Sequence, residues 1–334
     1  MNDAIVKYRE YINANKSELT VFMTVHNRER YIREAIDSVL NNTLKNFCFI
    51  FLDNCSTDKT PDIIKEYESK LNNIIYIHRE STLDYSNFQY AVDVCETDYF
   101  LVLHDDDIVY PNILSRLLHV IKESDCVAVS PISQYIDENS NDIYTDNKVK
   151  ESIQFKNDEY LLNYLKKDRV TMCYPATIYR KNFFVDKSNY FTLKCGPCFD
   201  DYFYFQICRL GGAIEIIPEK LIKYRIHSGQ MSNYAKIYMY LELYNYMMDD
   251  EYYLKILENN SSRIQHDLWT CYKRLFKAYN YGKIEKDKLK SFFSIKCFDI
   301  AKKTLLGKFL YLLTTTIYKH NNLAFKTLRL FKKI

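Results

Sequence analysis

Several apolar runs in the chain stop at groups able to do chemistry. LTVFMTV (19–25) carries Thr24 near its end and leads into His26-Asn27-Arg28; FCFIFL (47–52) leads into Asp53-Asn54-Cys55-Ser56-Thr57-Asp58; YFLVL (99–103) leads into His104-Asp105-Asp106-Asp107. Two carboxylates about 4 Å apart repel by roughly 4 kcal/mol at an effective dielectric near 20. One of them must hold a proton, or a cation must sit between them. Hard oxygen ligands without a cysteine or histidine cage favour Mg²⁺ or Mn²⁺, ions that also hold substrate phosphates. A further acidic pair, Asp200-Asp201, opens an apolar, aromatic helix pattern. It follows Cys195-Gly196-Pro197-Cys198, the spacing of a redox dithiol. Acidic charges at the start of that helix would raise a thiol pKa, whereas a redox pair needs it lowered. There is no second close cysteine pair for zinc. The motif therefore reads as a tight turn that delivers Asp201.

The spacing between these groups predicts the elements that carry them. Strands are expected at Leu19–Val25, Phe47–Leu52, Ile74–His78, Tyr99–Leu103 and Cys126–Ser130. Helices are expected between them, at Glu29–Asn41, Thr60 to about Leu71, Ser86–Cys95 and Pro111–Glu123. Ile32, Ala35, Ile36, Val39 and Leu40 form the apolar stripe of one helix face, and Thr60-Pro61 marks a helix start. Strands separated by single helices imply a mostly parallel α/β sheet covered on both faces. Its ligands bind beyond the carboxyl ends of the strands, which is where the polar groups lie. Residues 131–155 read as polar and irregular. A helix near Asp158–Lys167, a strand at Met172–Arg180 and a helix at Asp200–Leu210 follow. Beyond Gly229 only helices are expected, at Ser232–Glu258, Ser261–Tyr281 and Ser294–Lys319. The expected organisation is an N-terminal helical segment (1–17), a catalytic domain (18–230) and an all-helical C-terminal extension (231–334). The middle domain divides near residue 130 into two halves, 18–130 and 131–230, which the resemblance given below makes the nucleotide-sugar and the acceptor side.

The chain has 334 residues, 47% hydrophobic and 27% charged, with only six glycines, the first at Gly196. Dinucleotide, Walker and kinase loops all need closely spaced glycines so that backbone approaches phosphate. The first 195 residues contain none, so side chains or a metal must hold any phosphate there.

TVHNRERYIREAIDSVL, FLDNCSTDKTPDII and DYFLVLHDDDIVYPNIL, in that order and spacing, resemble the family 2 glycosyltransferases, which have the Rossmann-like GT-A fold. The likeness continues through YPATIYR and FDDYFYFQICRLGG to LIKYRIHSGQMS, covering roughly residues 18–232. It implies an inverting transfer of a sugar from a UDP-, dTDP-, GDP- or CDP-sugar to a glycan or lipid-linked glycan. It also implies the following roles. Thr24, His26, Asn27 and Arg28 line the nucleotide pocket, Asp53 accepts from base or ribose, and Asn87 lies near nucleotide and sugar. Asp105 and Asp106 form a D-x-D-like site for Mn²⁺ or Mg²⁺, with Asp106 the preferred ligand, Asp107 close by and His227 completing it. Asp201 is the general base, with Asp200 beside it. The chain departs from the family pattern at four positions. His26 replaces a frequent aromatic, Cys55 a common glycine, His104 the first acid of many members, and Ser86 a frequent arginine. The HDDD form and the NFQYA segment look closest to members that transfer deoxysugars, such as rhamnosyl- or abequosyltransferases. The context implied is bacterial surface-polysaccharide synthesis, of lipopolysaccharide or capsule.

Two other readings use the same residues. A nucleotidyltransferase would also bind a sugar nucleotide through a metal, but it normally needs an early glycine-rich, basic phosphate loop. A non-catalytic glycan- or lipid-binding protein would tolerate the loss of Asp201. Nucleic-acid binding is not expected: residues 283–334 carry a local charge of +10 and the remainder −7, leaving the body without a basic face. The basic segment interleaves lysines with apolar residues at helical spacing, as an interfacial helix does. The expected partner of residues 294–334 is an anionic membrane surface. With no run of 18 apolar residues and no signal-peptide core in MNDAIVKYRE, the expected location is the cytoplasm, peripheral on the inner membrane face.

Overall fold

The computed structural model describes residues 2–80, 86–144, 148–185, 187, 192, 194–228, 239–280 and 299. The chain divides into two compact units. The first is Met1–Tyr164, Val170–Phe191 and Phe203–Gly229; the second is Leu165–Arg169, Thr192–Tyr202 and Gln230–Ile334.

The first unit is built on one mixed sheet. Its strands are β1 (Leu19–Val25), β2 (Cys48–Asn54), β3 (Ile74–Arg79), β4 (Tyr99–His104), β5 (Ile108–Val109), β6 (Cys126–Ile136), β7 (Asp142–Ile143), β8 (Ile153–Phe155), β9 (Ile178–Arg180) and β10 (Ala213–Arg225). The order is β3-β2-β1-β4-β9-β6-β10-β5, with β7 on β6 and β8 on β10. The pairings β2–β3, β1–β2, β1–β4 and β6–β10 are parallel, while β9 lies antiparallel between β4 and β6. In register, Thr24 stands beside both Leu52 and His104, and Val25 beside Asp53. The ends of β1, β2 and β4 therefore come together at one edge, as the alternation of strands and helices requires.

Helices α1 (Asn2–Asn15), α2 (Ile32–Leu40), α3 (Thr60–Glu68), α4 (Ser86–Val94), α5 (Ile113–Glu123), α6 (Glu159–Tyr164) and α7 (Phe199–Arg209) complete the α/β part. Every residue of β2 is buried, as expected of a central strand covered on both faces. Alternate side chains of a strand go to opposite faces. Val21, Met23, Phe49, Phe51 and Leu101 join a core with Ile32, Ile36 and Val39 of α2 and Leu117 and Ile121 of α5. Phe22 and Phe100 belong to an aromatic cluster with Phe88, Tyr179, Phe184 and Phe203.

Three boundaries differ notably from the sequence expectation. Helix α2 starts at Ile32 rather than Glu29; the Arg28 and Glu29 N–H groups before it donate to Thr60 Oγ1 (2.8 Å) and Asp58 Oδ2 (3.0 Å). The expected strand over Met172–Arg180 is cut to Ile178–Arg180 by a single helical turn at Tyr174–Ala176, around Pro175. Strand β6 runs to Ile136, six residues beyond expectation, because β10 pairs along its length.

In the second unit the described residues form α8 (Met239–Met247), α9 (Glu251–Asn259) and α10 (Ser261–Asn280). The continuous helix expected over Ser232–Glu258 is interrupted where the Asp250 side chain caps α9, accepting from Tyr252 N–H at 2.9 Å. Asp267 joins two of these helices by accepting from Tyr244 OH (3.0 Å) on α8 and from Arg263 Nε (2.9 Å) within α10. The helix expected at Ser294–Lys319 lies outside the described residues. No helix of the described residues is long and apolar enough to cross a membrane.

Candidate active site

The loops after β1 and β2 are tied to each other. Asn27 N–H donates to Ser56 Oγ (2.9 Å), Asn27 Oδ1 accepts from Thr57 N–H (2.8 Å), and Lys59 N–H donates to Glu29 Oε2 (3.1 Å). Asn27 and Cys55 both adopt left-handed backbone, at φ of 52° and 58°. Asparagine is among the side chains that tolerate this region; cysteine is not, which accounts for glycine being common at position 55 in the family this sequence resembles. The Cys55 thiol donates to Arg79 O at 2.8 Å. His26 bonds through Nδ1 to Asn54 O at 2.7 Å, which fixes the ring at the sheet edge.

Asp53 is fully buried. Its Oδ1 accepts from Ser56 N–H (3.1 Å) and its Oδ2 from Tyr76 OH (2.5 Å), with His78 Nδ1 3.5 Å away. Burial, reinforced by this carboxylate, pushes the Tyr76 phenol above its ordinary range. Asn87 is also fully buried; its Oδ1 accepts from Arg79 Nη1 at 2.8 Å, while its Nδ2 has no hydrogen-bond partner among the described residues. The Arg79 guanidinium covers the Tyr90 ring at 4.3 Å. Sequence reasoning missed Arg79, which reaches Asn87 from β3, a different element from the Ser86 position where arginine is frequent.

The acidic run after β4 splits into separate jobs. Asp105 Oδ2 accepts from His26 N–H (2.8 Å), and its Oδ1 lies 3.1 Å from Arg28 Nε, tying this turn to the β1 loop. Asp106 Oδ2 lies 2.9 Å from His227 Nε2 and 3.6 Å from Arg28 Nε. Asp107 Oδ1 accepts from Arg225 N–H at 2.8 Å, whereas its Oδ2 is buried without a hydrogen-bond partner among the described residues. Burial would raise the Asp106 pKa, but the His227 bond and the charges of His104, Arg28 and His227 hold it below the usual range. Burial and the neighbouring Asp106 charge push Asp107 well above that range, outweighing the Arg225 hydrogen bond. Two adjacent carboxyls forced apart in this way are the electrostatic signature of a site short of positive charge.

One ligand atom each from His104, Asp106 and Asp107 lie within 4.8 Å of one another. The orphaned, buried Asp107 oxygen fits a divalent cation, since a metal would give it the partner it lacks and keep it ionised. His227, with its side chain 6% exposed and its ring 5.2 Å from Tyr31, is close enough to join through Asp106. His104 had been marked in the sequence only as standing in for an acid; the structure groups it with Asp106 and Asp107.

Asp200 and Asp201 belong to the second unit, in the first turn of α7. Asp200 Oδ1 accepts from Asp201 N–H at 2.9 Å, and burial pushes the Asp200 carboxyl up to about 6. The turn before them is tight: Gly196 has φ of 78°, and a Cβ there would come 2.3 Å from Glu242 Oε2. Burial, with the charges of Asp200, Asp201 and Glu242, pushes the Cys195 thiol up to about 12. That is the opposite of a redox-active thiolate.

Comparison with known proteins bears on the whole arrangement. The profile of the family Glycosyl transferase family 2 matches residues 20–186, half of the chain. An uncharacterized glycosyltransferase of Methanocaldococcus jannaschii is 30% identical over 240 residues, covering 70% of this chain and 78% of the relative. One of Rickettsia typhi is 29% identical over 222 residues, 65% of this chain and 66% of the relative. Among solved structures, S. aureus TarS 1–349 in complex with UDP-GlcNAc is similar in fold at a TM-score of 0.58 and 16% identity. The match covers 85% of this chain and 81% of that one. The fold is thus of the GT-A type, a mixed α/β sheet flanked by helices with a helical C-terminal region.

Proposed function

The chain belongs to the family 2 glycosyltransferases, and from that premise we propose that it moves a sugar, with inversion, from a nucleoside-diphosphate sugar to a glycan or lipid-linked glycan hydroxyl in surface-polysaccharide synthesis. The observation that carries the proposal is the acidic cluster at the end of β4, where the buried Asp107 oxygen lacks a partner beside an ionised Asp106. A sugar nucleotide brings two more negative charges to such a place, and only a cation makes that favourable. UDP-GlcNAc and UDP are bound by the structural neighbour TarS, and a Bacillus subtilis relative over part of the chain is a minor teichoic acid biosynthesis protein. Both support this class of substrate.

Residues His104, Asp106 and Asp107 would hold the cation, with Asp105 and His227 next to them. An imidazole in the group favours Mn²⁺ over Mg²⁺. When bound, the cation supplies charge neutralisation at the departing diphosphate. The remaining work falls to side chains. Thr24, His26, Asn27 and Arg28 line the nucleotide pocket, and Asp53, already fixed by Ser56 and Tyr76, orients the base or ribose. Asn87 and Arg79 contact the donor. Asp201 takes the proton from the acceptor hydroxyl as it attacks the anomeric carbon, with Asp200 beside it. The expected division remains 1–17, 18–230 and 231–334, with the catalytic chemistry in the middle part. Residues 294–334 dock on an anionic membrane face where a lipid-linked acceptor would reside.

Thermal shift with UDP, GDP, CDP and dTDP, each with and without Mn²⁺, tests the donor reading. A ligand at 100 times its Kd stabilises by about 2.7 kcal/mol. One nucleotide should do so only with Mn²⁺, and Asp106→Asn should abolish that metal-dependent gain. Stabilisation that is indifferent to Mn²⁺, or intact in Asp106→Asn, would overturn the metal assignment.

A further inference from the structure

Arg225 has the largest fully buried side chain among the described residues, with 1% exposed, and no sequence signal marked it as functional. It ends β10, and His227 follows two residues later, just beyond the strand. Its backbone N–H holds Asp107 Oδ1 at 2.8 Å, and its side-chain Nε donates to Asp106 O at 2.7 Å. One residue therefore grips both consecutive acids, one through the carboxylate and the other through the peptide.

The far end of the guanidinium is anchored in turn. Nη2 donates to Glu34 Oε2 at 2.6 Å on α2, Nη1 donates to Ser140 Oγ at 2.9 Å and to Asp137 O at 3.3 Å in the turn between β6 and β7. Ser140 Oγ donates to Glu34 at 2.9 and 3.0 Å, closing a ring of three side chains. The Tyr31 face lies 4.7 Å from the guanidinium carbon and 5.2 Å, ring to ring, from His227. A lysine offers a point charge with three donors, whereas this arrangement uses the planar fork in three directions at once.

We propose that Arg225 is a positioning residue: anchored on Glu34 and Ser140, it sets the spacing of Asp106, Asp107 and His227 that a divalent cation requires. The inference rests on the metal reading of the site given above. Residues that orient metal ligands from behind typically change metal affinity 10- to 100-fold when altered.

The decisive variant is Arg225→Lys, which keeps the positive charge and removes the fork. Its Mn²⁺ affinity is read by the electron paramagnetic resonance of free Mn²⁺, without donor or turnover, at a temperature well below the measured Tm. The expected result is a Kd raised at least 10-fold in folded protein. Glu34→Gln, which leaves Arg225 in place and lies far from the ligands in sequence, serves where Arg225→Lys does not fold. It is expected to weaken Mn²⁺ by several-fold, with little dependence on ionic strength. Wild-type affinity in the folded variant, whatever its Tm, overturns the positioning role and leaves the transferase reading intact. Failure of the wild-type protein itself to bind Mn²⁺ overturns the metal reading and this inference together.

Discussion

Asp200 and Asp201 are adjacent and chemically identical, and the proposal above gives the base role to Asp201 alone. Asp200 spends Oδ1 on the Asp201 N–H and is pushed up to about 6 by burial. Its folded pKa lies above the unfolded value near 3.9. Between pH 4 and 6 the unfolded chain has therefore released a proton that the folded chain keeps, so stability falls as pH rises through that window. Asparagine has no proton to lose and can still accept from Asp201 N–H. Asp200→Asn should thus melt several degrees higher than wild type at pH 8 and no higher at pH 4, as read by scanning calorimetry; an equal gain at both pH values would show that desolvation of the carboxylate is not its cause. Asp201→Asn has a separate consequence. Donor-nucleotide thermal shift should be retained while transfer, followed by release of the nucleoside diphosphate, drops by at least 10²-fold. Unchanged turnover would move the base elsewhere. Both carboxylates were legible through the likeness of FDDYFYFQICRLGG to the family, and Asp106, Asp107, Arg28 and Asp53 because they follow apolar strands. Arg225 was not. Its decisive partner, Glu34, is 191 residues away in sequence, and nothing local in LIKYRIH separates a buried arginine from a solvated one.

Helix α1 shows how an element outside the sheet alternation can be fastened to it. Tyr8, fully buried, accepts from Glu96 N–H at 2.9 Å and shares a 2.8 Å hydrogen bond with Thr20 on β1, which in turn shares one of 2.8 Å with Thr97 before β4. Removing the phenolic oxygen leaves a backbone N–H and a buried hydroxyl short of partners, a loss of about 1–3 kcal/mol. Tyr8→Phe is expected to lower stability by that amount in urea denaturation with an unchanged m-value, and Arg9→Ala, whose pair with Glu96 is exposed, by well under 1 kcal/mol. The reverse order would mean that surface charge, rather than the buried hydroxyl chain, holds the helix. Elements such as β1, β2, β4 and α2 could be read directly, since continuous apolar runs and a 3.6-residue stripe are local signals. Strand β10 could not. Pro218, Glu219, Lys220 and Lys223 interrupt its apolar pattern. It is a strand because β6 accepts it in parallel with register breaks between Ile216 and Ile222, a partnership visible only in three dimensions.

At the scale of the whole molecule, the uneven charge is the property with the widest reach. Residues 283–334 carry +10 and the remainder −7, so one end of the chain is drawn to an anionic surface while the rest is repelled by it. No helix of the described residues is long and apolar enough to cross a bilayer; the basic segment, proposed above to dock on a membrane, would do so interfacially and partly by electrostatics. Near an anionic leaflet each Lys or Arg contributes about 1 kcal/mol, and this attraction extends only about 8–10 Å at ordinary ionic strength. Two signatures follow, and both must appear together. Co-sedimentation of the full chain with vesicles rich in phosphatidylglycerol should exceed that with neutral phosphatidylcholine, and it should fall steeply between 50 and 500 mM salt on the order of the screening change. Deleting residues 294–334 should abolish the anionic preference while nucleotide-dependent thermal shift persists, because the donor residues proposed above all lie between Thr24 and His227. Equal recovery of the shortened and full chains with anionic vesicles would show that the basic segment is not what binds the membrane.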